Sequence, residues 1–289
     1  GLFQYFMGFN IFGLHHSHPD RITSFFVQEL KLGSFLARMM PIVIAFLIYF
    51  GSKRKSYIFL SVFLIILVDI LIFISMERSA FFLTMLSIIF ILFFTKKYKL
   101  IRLLCFVFSV LVIVTLTIKD EALKNRMFLH PILALTETIE KKHVLTNTHD
   151  SLYRTSLQMF EQNKILGIGP KMYRKHSRDE RYVVGSSSFN THPHNTYIQL
   201  LAETGLTGFV IFLIFVMTFF YKTIIHFKNL IIGKNHLSDF TICIMAAIFI
   251  NIWPIIPTGN FFNNWISIVY YLPLGFYFSS LCQQEKSNS

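Results

Sequence analysis

The stretch YIFLSVFLIILVDILIFIS, residues 57–75, decides the fold class of this chain. It contains one charged side chain, Asp69, and a helix of this length rises about 1.5 Å per residue, enough for a hydrocarbon core of roughly 30 Å. Six further apolar runs follow the same pattern, at 32–50, 80–95, 103–118, 197–221, 240–258 and 265–282. The sequence therefore predicts an all-α, polytopic transmembrane helical bundle with about seven spans.

The composition agrees with a lipid environment. The 289 residues are 54% hydrophobic, include 34 phenylalanines and have a mean hydropathy of +0.55. The net charge of +12 requires no nucleic acid, because Lys and Arg in cytoplasmic loops give a membrane protein the same balance. Cys105, Cys243 and Cys282 lie in or beside apolar runs, so we predict neither a disulfide nor a thiolate metal site. The lipid bilayer is the first predicted partner.

Loop charge predicts the topology. The short loops at 53–55, 96–102 and 222–234 are rich in Lys and Arg, whereas the alternate loops, around Arg78 and at 259–263, carry one such residue and none. Short positive loops remain in the cytoplasm. We therefore divide the chain into N-terminal membrane helices (1–118), a long outer segment with helical patterning (119–194) and C-terminal membrane helices (195–289). Since Gly1 already lies in an apolar stretch, we expect further membrane helices ahead of it.

The junction of the outer segment with the fifth span reads His192-Pro193-His194-Asn195. Asn195 or Thr191 can cap a helix that starts here, and proline suits a first helical turn. On such a helix one face would carry His194, Ile198, Leu201, Gly205 and Gly208. The pattern predicts an imidazole at the water-facing tip of a membrane helix, above glycines that allow close approach of a helix or lipid chain. Taken by itself, the motif favours an ordinary capped helix start with an incidental histidine.

The candidate chemistry on the predicted outer side consists of Arg78, Arg154, His192 and His194. Arginine holds phosphate in fork geometry, and neutral histidine accepts a proton near pH 7. Both arginines also have simpler interpretations. Arg78 fits an arginine at the membrane boundary whose side chain extends to the water, and Arg154, on a helix predicted at 150–164, fits a solvated helix face. The chain contains no nucleotide-binding glycine motif, no Ser-His-Asp order and no Cys-x-x-Cys pair.

These residues resemble the O-antigen ligase and O-antigen polymerase family of bacterial envelope enzymes. The ligase signature is a histidine followed by Asn, Ser or Gln, then nine residues, then Gly-x-x-Gly, Thr or Tyr, and residues 194–208 resemble it at every position. Three further stretches resemble the family: Glu77 to Phe81, Arg154 to Pro170 with its Gly-x-Gly turn, and Arg21 to Pro41 at the start of a span.

The resemblance implies a metal-independent, inverting glycosyl transfer without a cofactor, at the periplasmic face of the bacterial inner membrane. The donor would be a glycan on undecaprenyl diphosphate and the acceptor lipid A–core. Arg78 and Arg154 would bind the diphosphate, and His194 would deprotonate the acceptor hydroxyl. Supporting positions would be His192, Asn195, Arg21, Gly205 and Gly208.

Three alternatives remain open at this point. A polymerase would use the same lipid-linked donor with a second glycan as acceptor. A lipid-linked glycan transporter would place charges within the membrane, where the candidates are Asp69 and Glu203. A metal sensor would require two histidine groups to meet and a nearby carboxylate: His15, His16 and His18 in one group, and His192 and His194 in the other.

Overall fold

The computed structural model describes residues 1–15, 21–27, 29–51, 56–96, 99–133, 136, 147–185, 188–234 and 237–288. In these ranges the chain is helical, and no β-strand occurs. The helices are α1 (Leu2–Met7), α2 (Leu32–Gly51), α3 (Ser56–Ile74), α4 (Arg78–Phe94), α5 (Lys99–Lys119), α6 (Glu121–Lys124), α7 (Asn147–Gln162), α8 (Tyr173–His176), α9 (Thr196–Ile232), α10 (Asp239–Asn251) and α11 (Asn264–Asn288). The predicted all-α polytopic bundle is confirmed.

Within the described ranges, five helices are long and apolar enough to cross a membrane, namely α2, α3, α5, α9 and α11, while α4 and α10 are shorter apolar helices. The sixth predicted span, 240–258, is too long, because α10 ends at Asn251. Pro254 and Pro257 follow that end. Proline lacks the amide hydrogen and disfavours helical backbone in the residue before it. Residues 252–258 therefore form an irregular segment.

The first of two compact units comprises residues 1–132, 235–251 and 269–289. Helix α2 contacts α3, α4 and α10 within it. Ala37 and Ala45 of α2 and Ala246 and Ala247 of α10 are fully buried. Small side chains allow membrane helices to approach closely, so these alanines account for the packing of α2 against α10.

The second unit comprises residues 133–234 and 252–268. Its core joins Leu152 and Met159 of α7 to Tyr173, Tyr182 and Ala202. The helix predicted at 150–164 is confirmed by α7, whose Leu152, Ser156 and Met159 side chains lie on one face and are buried. The amphipathic spacing of α7 therefore packs this helix against α9.

Helix α9 is interrupted at Gly205, which has φ 61° and ψ −161°. In an unbroken helix the carbonyls of residues 202 and 203 would accept from the amides of residues 206 and 207. Here a turn formed by residues 163–169 pairs with all four groups. Ile168 and Gly169 donate to the carbonyls of Ala202 and Glu203 at 3.0 and 2.9 Å, and the amides of Leu206 and Thr207 donate to the carbonyls of Lys164 and Ile165 at 2.8 and 3.2 Å.

Glycine is required on both sides of this junction. A Cβ on Gly205 would lie 2.6 Å from the amide nitrogen of Gly167, and a Cβ on Gly167 would lie 2.6 Å from the amide nitrogen of Gly205. Both residues also have positive φ. The Gly-x-Gly turn and the first glycine of Gly-x-x-Gly, which are 38 positions apart in the sequence, are thus two halves of one backbone junction.

Candidate functional site

Asn195 organises the start of α9. Its Oδ1 accepts from the amides of Tyr197 and Ile198 at 2.9 and 3.1 Å, and its Nδ2 donates to the carbonyl of Pro254 at 2.7 Å. The predicted capping role of Asn195 is confirmed. His194 precedes the cap with φ 58° and lies outside the helix. The prediction that His194, Gly205 and Gly208 share one helix face is wrong, because the cap excludes His194 and the break at Gly205 interrupts the face.

The His194 ring accepts a hydrogen bond through Nε2. Asn190 Nδ2 lies 3.1 Å from this nitrogen, and Asn190 Oδ1 accepts from the amide of Thr191 at 2.7 Å, which fixes the orientation of the Asn190 amide. The pKa of His194 is lowered by burial and, to a smaller extent, by the charge of His149. The geometry therefore holds a neutral imidazole whose Nε2 lone pair accepts from Asn190 and can take a proton, as a general base does, once that amide moves away.

His192 holds the loop that carries His194 in place through hydrogen bonds at both ring nitrogens. Its Nε2 lies 3.0 Å from the carbonyl oxygen of Thr258, which can only accept, so Nε2 carries the proton. Its Nδ1 then accepts from Thr191 Oγ1 at 2.9 Å. The ring is buried, and its centroid lies 4.2 Å from that of His194. His192 therefore fixes the loop that carries His194.

His149 is a histidine of the site that sequence reasoning missed. It lies in the first turn of α7, and its ring centroid is 6.2 Å from that of His194 in an edge-to-face arrangement. Its Nδ1 is buried without a hydrogen-bond partner among the described residues, and burial lowers its pKa. No motif includes His149, and its separation of 45 positions from His194 gives no sequence signal for their contact.

Arg154 lies one turn beyond Asp150 on α7. The two form an ion pair in which Arg154 Nε is 2.9 Å from Asp150 Oδ2, with side chains 63% and 38% exposed. An exposed pair of this kind contributes about 0–1 kcal/mol to stability, so Arg154 remains easily redirected to an anionic ligand. Both residues belong to the same unit as His194.

Arg78 and Arg21 belong to the first unit. Arg78 is exposed at the first position of α4, after Glu77, whose carboxylate accepts from the amides of Gly33 and Ser34 at 2.7 and 2.9 Å. The pKa of Arg21 is lowered by burial and by the nearby charges of Arg126 and Arg78, and Glu77 opposes this effect. Arg21, Arg78 and a third arginine, Arg126, from three chain segments, therefore lie close enough to influence one another electrostatically, near a carboxylate that already binds the start of α2.

Arg126 is the member of this group that sequence reasoning missed. Its Nε donates to the carbonyl of Met76 at 3.3 Å. Ile22, Met76 and Met127 pack in one hydrophobic cluster, so the chain neighbours of these residues are brought together. The charge pattern alone gave no signal, since Arg126 lies within the long outer segment with many other cations.

Metal binding receives no support within the described part of the chain. No group of three or more His, Cys, Asp or Glu side chains there has the geometry to hold a metal ion. His15 is in the first unit, whereas His192 and His194 are in the second; His16 and His18 lie outside the described residues.

The transporter candidates among the acidic residues have structural partners. Glu203 is buried and accepts from the amide of Tyr173 at 2.8 Å and from Gln199 Nε2 at 2.9 Å. Asp69 is buried in α3 and accepts from Ser109 of α5 at 3.1 Å. The partners of Glu203 therefore account for its burial, whereas Oδ1 of Asp69 is buried without a hydrogen-bond partner among the described residues.

Comparison with known proteins supplies the family. The family model described as O-antigen ligase matches residues 62–213, more than half of the 289 residues, from within α3 to beyond the Gly205 break. No curated protein and no solved structure shows significant similarity to the chain.

Proposed function

The chain belongs to the O-antigen ligase family, a family of membrane glycosyltransferases of the ligase and polymerase type, and from this premise we propose that it acts as a ligase. It transfers a glycan from undecaprenyl diphosphate to a hydroxyl group of lipid A–core at the periplasmic face of the inner membrane. The observation that carries the proposal is His194, a neutral histidine held just before the first turn of α9 in the family's His-Asn motif.

In the proposed reaction His194 Nε2 accepts the proton of the acceptor hydroxyl. The hydroxyl oxygen forms a bond to the anomeric carbon, and the bond between that carbon and the diphosphate oxygen breaks with inversion. The electron pair of the broken bond leaves with undecaprenyl diphosphate. Asn190 Nδ2, now 3.1 Å from Nε2, must yield its place to the incoming hydroxyl. The step balances, because the proton goes to His194 and the electron pair goes to the diphosphate.

The leaving diphosphate needs positive charge where its own negative charge develops. We assign this role to Arg78 and Arg154, with Arg21 as a supporting residue, because guanidinium groups bind phosphate oxygens in pairs of hydrogen bonds. Arg126 joins this assignment through its place beside Arg21 and Glu77. His192 and Asn195 act through the position of His194 and need not touch substrate.

The test is complementation of a strain that lacks its own ligase, with lipopolysaccharide banding as the measurement. The variants are His194→Ala, Arg78→Ala and Arg154→Ala. Arg181→Ala is a matched control, because Arg181 is also an exposed arginine paired with a nearby aspartate, 66% exposed against 63% for Arg154. We expect the three variants to leave glycan on the carrier while Arg181→Ala and wild type attach it to lipid A–core.

Two outcomes would redirect the proposal. If wild type changes only the length of glycans already attached to the core, the chain is a polymerase with the same donor. If His194→Ala attaches glycan as wild type does, at equal protein level in the membrane, His194 is a structural residue and the assignment of the base is wrong.

A further inference from the structure

The 163–169 turn carries an apolar tip. Ile165 and Leu166 are 70% and 72% exposed, although both are large aliphatic side chains. Lys164 beside them is exposed as well. Their backbone is held firmly, since the carbonyls of Lys164 and Ile165 accept from the amides of Leu206 and Thr207. The exposed side chains therefore project from a fixed turn.

The place where this turn joins α9 is close to the edge of the hydrocarbon layer. No charged residue lies between Glu203 and Lys222 in the sequence. A helix needs about 20 apolar residues to cross a bilayer, so the span must begin within about a turn of the break at Gly205. Exposed apolar side chains then recur along α9 at Leu206, Val210 and Ile214, which are 46%, 46% and 60% exposed. On a spanning helix, such a stripe faces lipid.

We propose that the 163–169 turn is a membrane-inserted anchor, in which Ile165 and Leu166 enter the lipid at the bilayer surface where the span of α9 begins. The occupant of this apolar surface is the bilayer, because the turn is continuous with the lipid-facing stripe that starts at Leu206. Lys164 suits the same position, since a lysine beside buried apolar residues extends its ammonium group to lipid phosphates.

The anchor has a consequence for α7. This helix ends at Gln162, immediately before the turn, and carries His149 and Arg154. A fixed depth for the turn therefore sets the distance of both side chains from the membrane surface. The inference does not depend on the proposed reaction, because contact with lipid can be measured without any substrate.

Depth-dependent fluorescence tests the anchor. In a Cys282→Ser background, Leu166→Cys and separately Ile165→Cys are labelled with a polarity-sensitive fluorophore in phosphatidylcholine vesicles containing nitroxide-labelled acyl chains. Cys105 and Cys243 are buried, and the Cys282→Ser protein alone gives their background. Thr148→Cys is the matched control, because Thr148 is exposed on the first turn of α7 and lies far from the break at Gly205. Its neighbour His149 contacts the ring of His194, and His194 lies about 15 Å along α9 from that break.

We expect labels at positions 165 and 166 to emit at shorter wavelength and to be quenched by the nitroxide lipids at least twofold more than the label at 148. Equal quenching at all three positions would overturn the anchor, as would stronger quenching at 165 and 166 by iodide than by lipid. Loss of glycan transfer in these proteins would bear on the proposed function and not on this result.

Discussion

The backbone amide of Thr258 donates to the carbonyl oxygen of His194 at 2.8 Å, while the Thr258 carbonyl oxygen lies 3.0 Å from His192 Nε2. One residue from the segment after α10 thus contacts both histidines of the motif. Thr258 Oγ1 also lies 3.0 Å from Thr196 Oγ1 at the start of α9. The left-handed backbone of His194 is held by these contacts, which compensate for a conformation that non-glycine residues rarely adopt.

Replacement of His192 should therefore disturb the position of His194 more than the binding of the donor. We expect His192→Ala to lower kcat with little change in the KM for donor, and to reduce the free energy of unfolding by about 1–3 kcal/mol, because the buried Thr258 carbonyl loses its donor. His192→Gln, whose amide can donate to the same oxygen, should restore most of the rate. A His192→Gln protein as impaired as His192→Ala would argue that the imidazole itself takes part in the reaction.

His149 should govern the acidic limb of the pH profile. The pKa of His194 lies below its usual value through burial first and the charge of His149 second. Since the neutral base is active, kcat/KM falls as the pH drops through this pKa. His149→Ala removes charge and burial together, so the limb should move to higher pH. His176→Ala, a histidine paired with Asp179, should leave it in place. An unchanged limb in His149→Ala would contradict the coupling of the two rings.

The break in α9 should not tolerate a side chain at Gly205. Gly205→Ala adds a Cβ 2.5 Å from the carbonyl carbon of Ile165 in addition to its positive φ. Gly233→Ala is the control, because Gly233 has φ +74° with nothing within 4 Å of an added Cβ. The control should lose about 1–2 kcal/mol, the left-handed penalty alone, and Gly205→Ala several-fold more. Equal thermal midpoints in detergent for the two variants would contradict the junction.

Asp150 competes with anionic ligands for Arg154. We expect Asp150→Ala to change the free energy of unfolding by less than about 1 kcal/mol, because the pair is exposed. The same change should lower the KM for lipid-linked donor a few-fold, since Arg154 is no longer paired. Asp179→Ala, which breaks the corresponding pair with Arg181, should leave the KM unaltered. A raised donor KM in Asp150→Ala would mean that Asp150 orients Arg154 for binding.

Glu77 should be a determinant of stability in the first unit. Glu77→Ala removes the acceptor for the amides of Gly33 and Ser34, at about 1–3 kcal/mol for each amide left unpaired. Glu77→Gln keeps one acceptor oxygen and should lose clearly less. Thermal unfolding in detergent measures both, and equal losses would show that the charge on the carboxylate, and not its hydrogen bonds, stabilises the start of α2.

The helices could be predicted from the sequence because the patterns that produce them lie within single segments. Apolar runs of membrane length and the amphipathic spacing of α7 each act within one segment. The contacts of the site join distant segments, and these were missed: His149 facing His194, Thr258 holding the motif loop, and Arg126 beside Arg21. The end of α10 did have a local signal, the two prolines at 254 and 257. The division into 1–118, 119–194 and 195–289 stays a prediction.

The junction of the 163–169 turn with α9 also fixes a register. The amides of residues 168 and 169 must face the carbonyls of residues 202 and 203. The carbonyls of residues 164 and 165 must likewise face the amides of residues 206 and 207, and no side chain takes part in these four bonds. One inserted or deleted residue between positions 165 and 168 would set unmatched groups against each other. The backbone bonds therefore tolerate other amino acids at the turn's non-glycine positions, with apolar residues kept at 165 and 166 by the proposed anchor, but they do not tolerate a change in the number of residues.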